Sequence, residues 1–311
     1  MKSLRLNESS PITVTLMTLV AAFVLLPAMA FADARSEWCE KTENPEYFQS
    51  LASNPENNFS FDNESGWLRT GLCWWHSRFQ RASYYLTVYR PDLPKPTTWQ
   101  AIHILDRIQN IAGVVEIPGY KNFREFTQDW PKLLVNHLSM QEVDAIWRRW
   151  TWLRHGILKS GPTTTAREMS RKMDELYDYV VVQKKIAYTM LQIKGLMAHA
   201  WLVVGMAKTE NGYDLRVVDS NFADEVLAVE YKRGDTSFKT FYSKDSPNPP
   251  SPGWTGASPA PLPKIGYQFY GDFVPHLLER GDFYYYERAR ARYCAGHQSK
   301  KPVRKILASV K

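Results

Sequence analysis

Three residues far apart in the sequence have the side-chain types of an activated cysteine nucleophile. Cys73 lies in the segment GLCWW at residues 71–75, His199 opens a strongly apolar segment, and Asp219 ends another. In such a site the sulfur attacks, the imidazole holds and returns the proton, and a carboxylate orients the ring. The sequence therefore predicts catalytic roles for Cys73, His199 and Asp219, with His199 126 residues and Asp219 146 residues after the cysteine.

The expected position of Cys73 favours its ionisation. A helical pattern of apolar residues begins at Cys73, so the sulfur is expected at a helix N-terminus, where the dipole favours negative charge. A free thiol has a pKa near 8.5, and a neighbouring imidazolium lowers it further. The alternative is that Cys73 is a small buried apolar residue.

The identity of the base and of its orienting group depends on the folded arrangement. Among the seven histidines, His199 is the best base because an imidazole in an apolar strand needs a partner, and His76, one helical turn beyond Cys73, is its rival. A four-residue loop over 208–211 would pair His199 with Ser220. A five-residue loop would pair it with Asn221, and a tight turn at 211–212 with Asp224. Asp219 is favoured and Asn221 is the alternative orienter.

The N-terminus has the features of a secretory signal peptide. Lys2 and Arg5 precede an apolar run over residues 12–30, and Ala28 and Ala30 provide the small residues of a cleavage site. Residues 1–32 are therefore predicted to be a signal peptide and the mature protein to be secreted or periplasmic, without a stable membrane anchor. A retained anchor is the alternative.

Export changes the interpretation of the three cysteines. Oxidising compartments favour disulfides, and an odd number leaves one thiol over. Pairing of Cys39 with Cys294 would leave Cys73 as a thiol, whereas pairing of Cys39 with Cys73 would remove the nucleophile. The sequence leaves both pairings open.

The charge of the chain gives no strong indication of a binding partner. The net charge is +7 and falls to about +6 without residues 1–32. Much of it lies in a basic tail at 299–311. No zinc-finger, helix-turn-helix or RNA-binding signature accompanies this charge, so nucleic acid is not an expected partner, and no cofactor or metal site is predicted.

Helical patterns precede strand patterns along the chain. After an irregular strap from residue 33, helices are predicted from Cys73, over 97–111, over 121–138 with a break at Pro131, from a capping box at Ser139 to 158, and over 164–190. Strands are predicted over 199–206, 213–219, 225–231, 238–242 and 265–269, with a turn at 211–212 and a proline-rich loop at 247–263. This order predicts an α+β fold. A helical subdomain at 33–190 would carry Cys73 and pack on an antiparallel β subdomain at 191–298.

Short segments around the three residues resemble the papain-like cysteine protease superfamily. The resemblance rests on Cys73-Trp74, on His199-Ala200 leading to Val204-Gly205, and on the strand ending at Asp219-Ser220. It implies a papain-like fold and a peptidase or amidase that acts on peptide or protein substrates through a thioester acyl-enzyme. The segments at His199 and Asp219 equally resemble transglutaminase-like proteins, which implies acyl transfer instead.

One position departs from the papain-like pattern. In that family a glutamine six residues before the nucleophile donates to the oxyanion, and here Trp67 stands at that position. Its indole N–H or the amide of Asn63 could replace that donor. A non-catalytic module that binds peptide or polymer through a tryptophan-lined groove is the third alternative.

Overall fold

The computed structural model describes residues 34–63, 72–148, 165–192, 198–236, 266–269 and 282–295. The predicted signal peptide, the strand at 238–242, the proline-rich loop, the basic tail and Trp67 all lie outside these ranges. No helix in the described part of the chain is long and apolar enough to cross a membrane.

The described helices mostly precede the main sheet in the chain. Helix α1 covers residues 34–41, and a short 3-10 helix, Pro55–Asn57, follows α2. The other helices are α2 (Tyr47–Ala52), α3 (Cys73–Leu86), α4 (Thr98–Gln109), α5 (Phe123–Asp129), α6 (Pro131–Arg148), α7 (Ala166–Tyr177) and α8 (Asp282–Cys294).

Five described strands form one antiparallel sheet in the order β6-β5-β4-β3-β7. These strands are β3 (Ala187–Gln192), β4 (Ala198–Lys208), β5 (Gly212–Asp219), β6 (Leu227–Lys232) and β7 (Gly266–Phe269). Two short strands, β1 (Thr87–Arg90) and β2 (Val115–Pro118), pair separately and in parallel. The fold is therefore α+β, as the sequence predicts.

Both faces of the sheet are covered by apolar side chains. Ala200, Leu202 and Val204 of β4 pack into the core formed with α3 to α6. The alternate residues Trp201 and Val203 pack against α7 on the other face. Successive side chains of a strand point to opposite faces. Burial on both sides therefore explains why residues 200–204 of β4 are all apolar.

Two of the predicted helices differ from the structure. Helix α6 starts at Pro131, so Ser139, the predicted N-cap, lies buried inside it. Proline is favoured in the first turn of a helix, and no break follows before Ser139. The predicted helix over 164–190 ends in a π-helical turn, Asp178–Val182. Residues from Ala187 onwards form β3, which crosses the predicted subdomain boundary at residue 190.

Polar contacts attach α8 to α3, and a disulfide attaches α8 to the N-terminal helix α1. Asp282 at the start of α8 accepts hydrogen bonds from Arg78 and Arg81, each at 3.2 Å. Arg81 is fully buried, with its guanidinium near the rings of Tyr188 and Tyr286. A disulfide joins Cys39 to Cys294 at the end of α8. Of the two pairings left open by the sequence, the structure has the one that leaves Cys73 as a thiol.

Candidate functional site

Cys73 is the first residue of α3 and is partly exposed. The preceding residue, Leu72, occupies the N-cap position and has no polar side chain with which to cap the helix. The first turn also contains no acidic residue. The positive end of the helix dipole is therefore not offset by side chains of the cap or the first turn, which favours a negative charge at Cys73.

Hydrogen bonds fix the first turns of α3 against the sheet. Tyr188 of β3 donates its hydroxyl to the carbonyl of Trp74 at 2.8 Å. Ser77 donates its hydroxyl to the carbonyl of Ala200 at 3.0 Å. Ala200 is the neighbour of His199 in β4, so these contacts hold the cysteine end of the helix beside the histidine.

The structure brings Cys73, His199 and Asp219 together. Nε2 of His199 donates to Oδ1 of Asp219 at 2.7 Å, and the side chain of Cys73 is also hydrogen-bonded to His199. Because Asp219 engages Nε2, the ring nitrogen left for the sulfur is Nδ1. The imidazole therefore lies between a thiol and a carboxylate, which is the arrangement of a nucleophile, a base and an orienting group.

A β-bulge places Asp219 within reach of His199. Lys208 pairs with Tyr213, and an irregularity between Val203 and Gly205 then shifts the register so that Trp201 lies opposite Asp219. Beyond the bulge the register is that of the five-residue loop considered above. The Asp219 carboxylate accordingly reaches His199 diagonally, from the position opposite Trp201.

The electrostatics favour a charged His199. Burial lowers the pKa of His199, but the charge of Asp219, its hydrogen bond and the contact with Cys73 together raise this pKa well above its ordinary value of 6.5. Asp219 is fully buried, and its Oδ1 also accepts the backbone N–H of Asn221 at 2.9 Å. Within the described ranges Oδ2 of Asp219 has no hydrogen-bond partner. An unsatisfied buried oxygen of this kind costs about 1–3 kcal/mol. Buried polar atoms without hydrogen bonds are expected most often at functional sites.

His76 has a different environment from His199. It is buried on α3, its ring centroid lies 4.0 Å from that of Phe59, and its Nε2 lies 3.4 Å from the carbonyl oxygen of Phe61. Burial lowers its pKa to about 3, although the Phe61 carbonyl and the charge of Asp219 oppose this change. His76 is therefore neutral near pH 7 and is committed to packing, whereas His199 carries the charge.

The remaining predicted residues lie around the turn that follows β5. The side chain of Asn221 accepts a hydrogen bond from Nδ2 of Asn63 at 3.2 Å, and its backbone contacts Asp219 rather than His199. Asp224, the most distant of the orienters considered, is exposed. Sequence reasoning missed Asp62, which accepts the backbone N–H of Ala223 at 2.9 Å. Asp62 lies in an irregular segment whose pattern gave no signal.

Within the described ranges, no group of three or more histidine, cysteine, aspartate and glutamate side chains is arranged to hold a metal ion.

The chain was also compared with protein-family models, curated proteins and solved structures, and none of them matches it.

Proposed function

We propose that this chain is an exported, papain-like cysteine hydrolase that cleaves peptide or amide bonds. The observation that carries the proposal is the row of contacts from Cys73 through His199 to the buried carboxylate of Asp219. A raised His199 pKa keeps the ring protonated near pH 7, and an imidazolium stabilises the thiolate that attacks a carbonyl.

In the first half-reaction the Cys73 sulfur attacks the carbonyl carbon of the scissile bond. The carbon–sulfur bond forms, the carbon–nitrogen bond breaks, and His199 gives its proton to the leaving amine. The N-terminal end of α3 favours the negative charge that develops beside the sulfur. Asp219 keeps the ring oriented and stabilises its positive form.

In the second half-reaction water replaces the sulfur. His199 takes a proton from the water, a carbon–oxygen bond forms, and the carbon–sulfur bond of the thioester breaks. The products are a free acid and the Cys73 thiolate, with the proton back on His199. Each turnover therefore consumes one water molecule and leaves the enzyme unchanged.

The proposed location outside the cytoplasm has two supports. The first 32 residues have the composition of a signal peptide. The disulfide between Cys39 and Cys294 is of a kind that persists in oxidising compartments. Peptides or proteins of the envelope or the extracellular space would then be the substrates.

Acyl transfer to an amine is the second candidate function. It is favoured by the fact that an aspartate, as in transglutaminase-like proteins, contacts His199, while Asn221 does not. Both reactions share the thioester on Cys73 and differ only in whether water or an amine removes the acyl group.

The test is to incubate the mature protein with a mixture of peptides and to follow both cleavage and a mass increase on Cys73. We expect cleavage and an acyl adduct in the wild type, and neither in Cys73→Ala. In His199→Ala both should fall by about a thousandfold or more. An added primary amine should appear in the product only if the protein is a transferase. Cleavage that survives in Cys73→Ala would refute the proposal.

A further inference from the structure

Asp219 is the last residue of β5 that pairs with β4, and the turn that follows it lies outside the strand ladder. Strand β5 ends at Asp219 and β6 begins at Leu227. Within this turn Phe222 donates its N–H to the carbonyl of Asp219 at 3.0 Å, and Asn221 donates its N–H to the carboxylate. The direction of the carboxylate is therefore set by the conformation of residues 219–223, which needs support from elsewhere in the fold.

That support comes from residues 57–63, the last part of the strap predicted from the sequence, and 'strap' below means these seven residues alone. Asn63 donates its backbone N–H to the carbonyl of Ser220 at 2.6 Å and its Nδ2 to Oδ1 of Asn221 at 3.2 Å. Asp62 accepts the N–H of Ala223 at 2.9 Å. Two consecutive strap residues thus make three hydrogen bonds to three residues of the turn.

The rest of the strap is fixed to the helix that begins at Cys73. Phe59 donates its N–H to the side chain of Gln80 at 2.8 Å, and Gln80 donates its amide to the carbonyl of Asn57 at 2.9 Å. The hydroxyl of Tyr84 contacts Asn58 at 2.5 Å. The strap therefore connects the Cys73 helix with the Asp219 turn by a route separate from the sheet.

The geometry at Asp219 makes this support important for the site. Oδ1 accepts both the His199 N–H and the Asn221 N–H, and the carboxylate is fully buried. A small rotation of the turn would weaken both hydrogen bonds at once, and displacements of about 1 Å can cost about a hundredfold in rate.

We propose that Asp62 and Asn63 are positioning residues that hold Asp219 in line with His199 by fixing the turn over residues 219–223. The inference rests on the proposed function for its effect on turnover. It also assigns Asn63 a different role from the oxyanion donor suggested by the sequence, because its amide is directed to Asn221.

Three variants separate the side-chain contacts of the strap. Asp62→Ala removes the acceptor for the Ala223 N–H, whereas Asp62→Asn keeps an oxygen in the same place. Asn63→Ala removes the contact with Asn221. Asn54→Ala serves as the matched control, because the side chain of Asn54 caps the short 3-10 helix that leads into the strap and, among the described residues, makes no hydrogen bond to the turn.

The readouts are the titration of His199 by NMR and the separate values of kcat and KM. In Asp62→Ala and Asn63→Ala we expect kcat to fall about tenfold to a hundredfold, with KM nearly unchanged and the His199 pKa moved towards its ordinary value. Asp62→Asn and Asn54→Ala should remain close to wild type. The inference is overturned if folded Asp62→Ala and Asn63→Ala titrate at His199 as the wild type does.

The same measurements distinguish failure of the inference from failure of the proposed function. The NMR titration needs no substrate, so a shift in the strap variants supports the positioning role even if the wild type cleaves nothing. Cleavage that depends on Cys73 but is unchanged in both alanine variants would overturn the positioning role and leave the hydrolase proposal intact.

Discussion

Replacing Asp219 with asparagine removes the charge behind His199 and almost none of the volume. The Asp219 side chain is fully buried and lies 2.7 Å from Nε2 of His199. Asparagine retains an oxygen that can accept the same hydrogen bond, so Asp219→Asn isolates the electrostatic contribution of the carboxylate.

The size of this contribution follows from Coulomb's law. Two unit charges about 4 Å apart attract by about 4 kcal/mol at an effective dielectric constant of about 20. Each 1.4 kcal/mol corresponds to about a tenfold change in an equilibrium, so the charge favours the imidazolium by up to about a thousandfold. Removing a buried carboxylate also removes its desolvation cost. The net expectation is therefore about a hundredfold loss.

The assay is the rate at which iodoacetamide alkylates Cys73 at about pH 6, where a free thiol is mostly protonated. We expect Asp219→Asn to react about a hundredfold more slowly than the wild type at this pH. Asp224→Asn is the matched control, because Asp224 lies in the same turn and is exposed. Equal rates in wild type and folded Asp219→Asn would refute the electrostatic reasoning.

The stability of the wild type and that of Asp219→Asn should also depend differently on pH. A group whose pKa is raised by folding stabilises the native state below its unfolded pKa, and this stabilisation is lost as the pH rises through the folded value. The contribution of His199 should therefore be present below about pH 6.5 and decline at higher pH. Urea unfolding should show this decline in the wild type and a smaller one in Asp219→Asn.

Three further changes have expected outcomes that urea unfolding can measure. In the wild type, the free energy of unfolding should fall by about 5 kcal/mol as the pH drops from 6.5 to about 3, because the folded pKa of His76 lies well below its unfolded value. His76→Phe should abolish this fall. Cys39→Ser should cost about 5 kcal/mol, since the disulfide with Cys294 spans 255 residues and constrains the unfolded chain. Asp282→Asn should cost about 3–5 kcal/mol, because Asp282 accepts hydrogen bonds from Arg78 and the fully buried Arg81, and breaking a buried ion pair is strongly destabilising.

Matched variants set the limits for these predictions. His103→Gln and Asp214→Asn change exposed residues of the same types and should alter stability by less than about 0.5 kcal/mol. If His76→Phe loses as much stability as the wild type between pH 6.5 and about 3, the buried, neutral state of the His76 ring would be contradicted. Unchanged stability in Asp282→Asn would contradict the importance of the contacts between α8 and α3. Unchanged stability in Cys39→Ser would contradict the importance of the disulfide between α8 and α1.

The chemistry-bearing residues and the starts of α3 and α4 were the features most accessible from the sequence. The start of α3 at Cys73 was predicted correctly, as was the start of α4, where Thr97 and Gln100 form a capping box. From the number of cysteines the sequence also predicted two possible disulfides, one of which is observed. These features depend on local sequence or on simple counting, so a single sequence is enough to find them.

The end of α7 could not be predicted because distant residues determine it. The chain leaves the helix at Lys184, which has a left-handed φ of 56°, a conformation usually adopted by glycine. Gln49 donates its side-chain amide to the carbonyls of Val180 and Lys185 at 2.7 and 3.2 Å. These carbonyls at the helix end are satisfied by a residue more than 130 positions away, and no local pattern reports such a contact.

The contact between Asp219 and His199 could be predicted only in part, for a similar reason. Turn residues at 211–212 located the hairpin correctly, but the bulge between Val203 and Gly205 decided the register. A bulge adds one residue to one strand, and the apolar run of β4 has no alternation to reveal it. The supporting contacts of the strap depend on the tertiary fold in the same way.

The most direct test of the central claim is the ultraviolet absorbance of a thiolate, measured as the difference between wild type and Cys73→Ser while the pH is lowered. A sulfur paired with a charged His199 should give a thiolate signal near pH 7 that Cys73→Ser lacks, and His199→Ala should lose this signal. A wild type without this signal, or a signal that is unchanged in His199→Ala, would contradict the account.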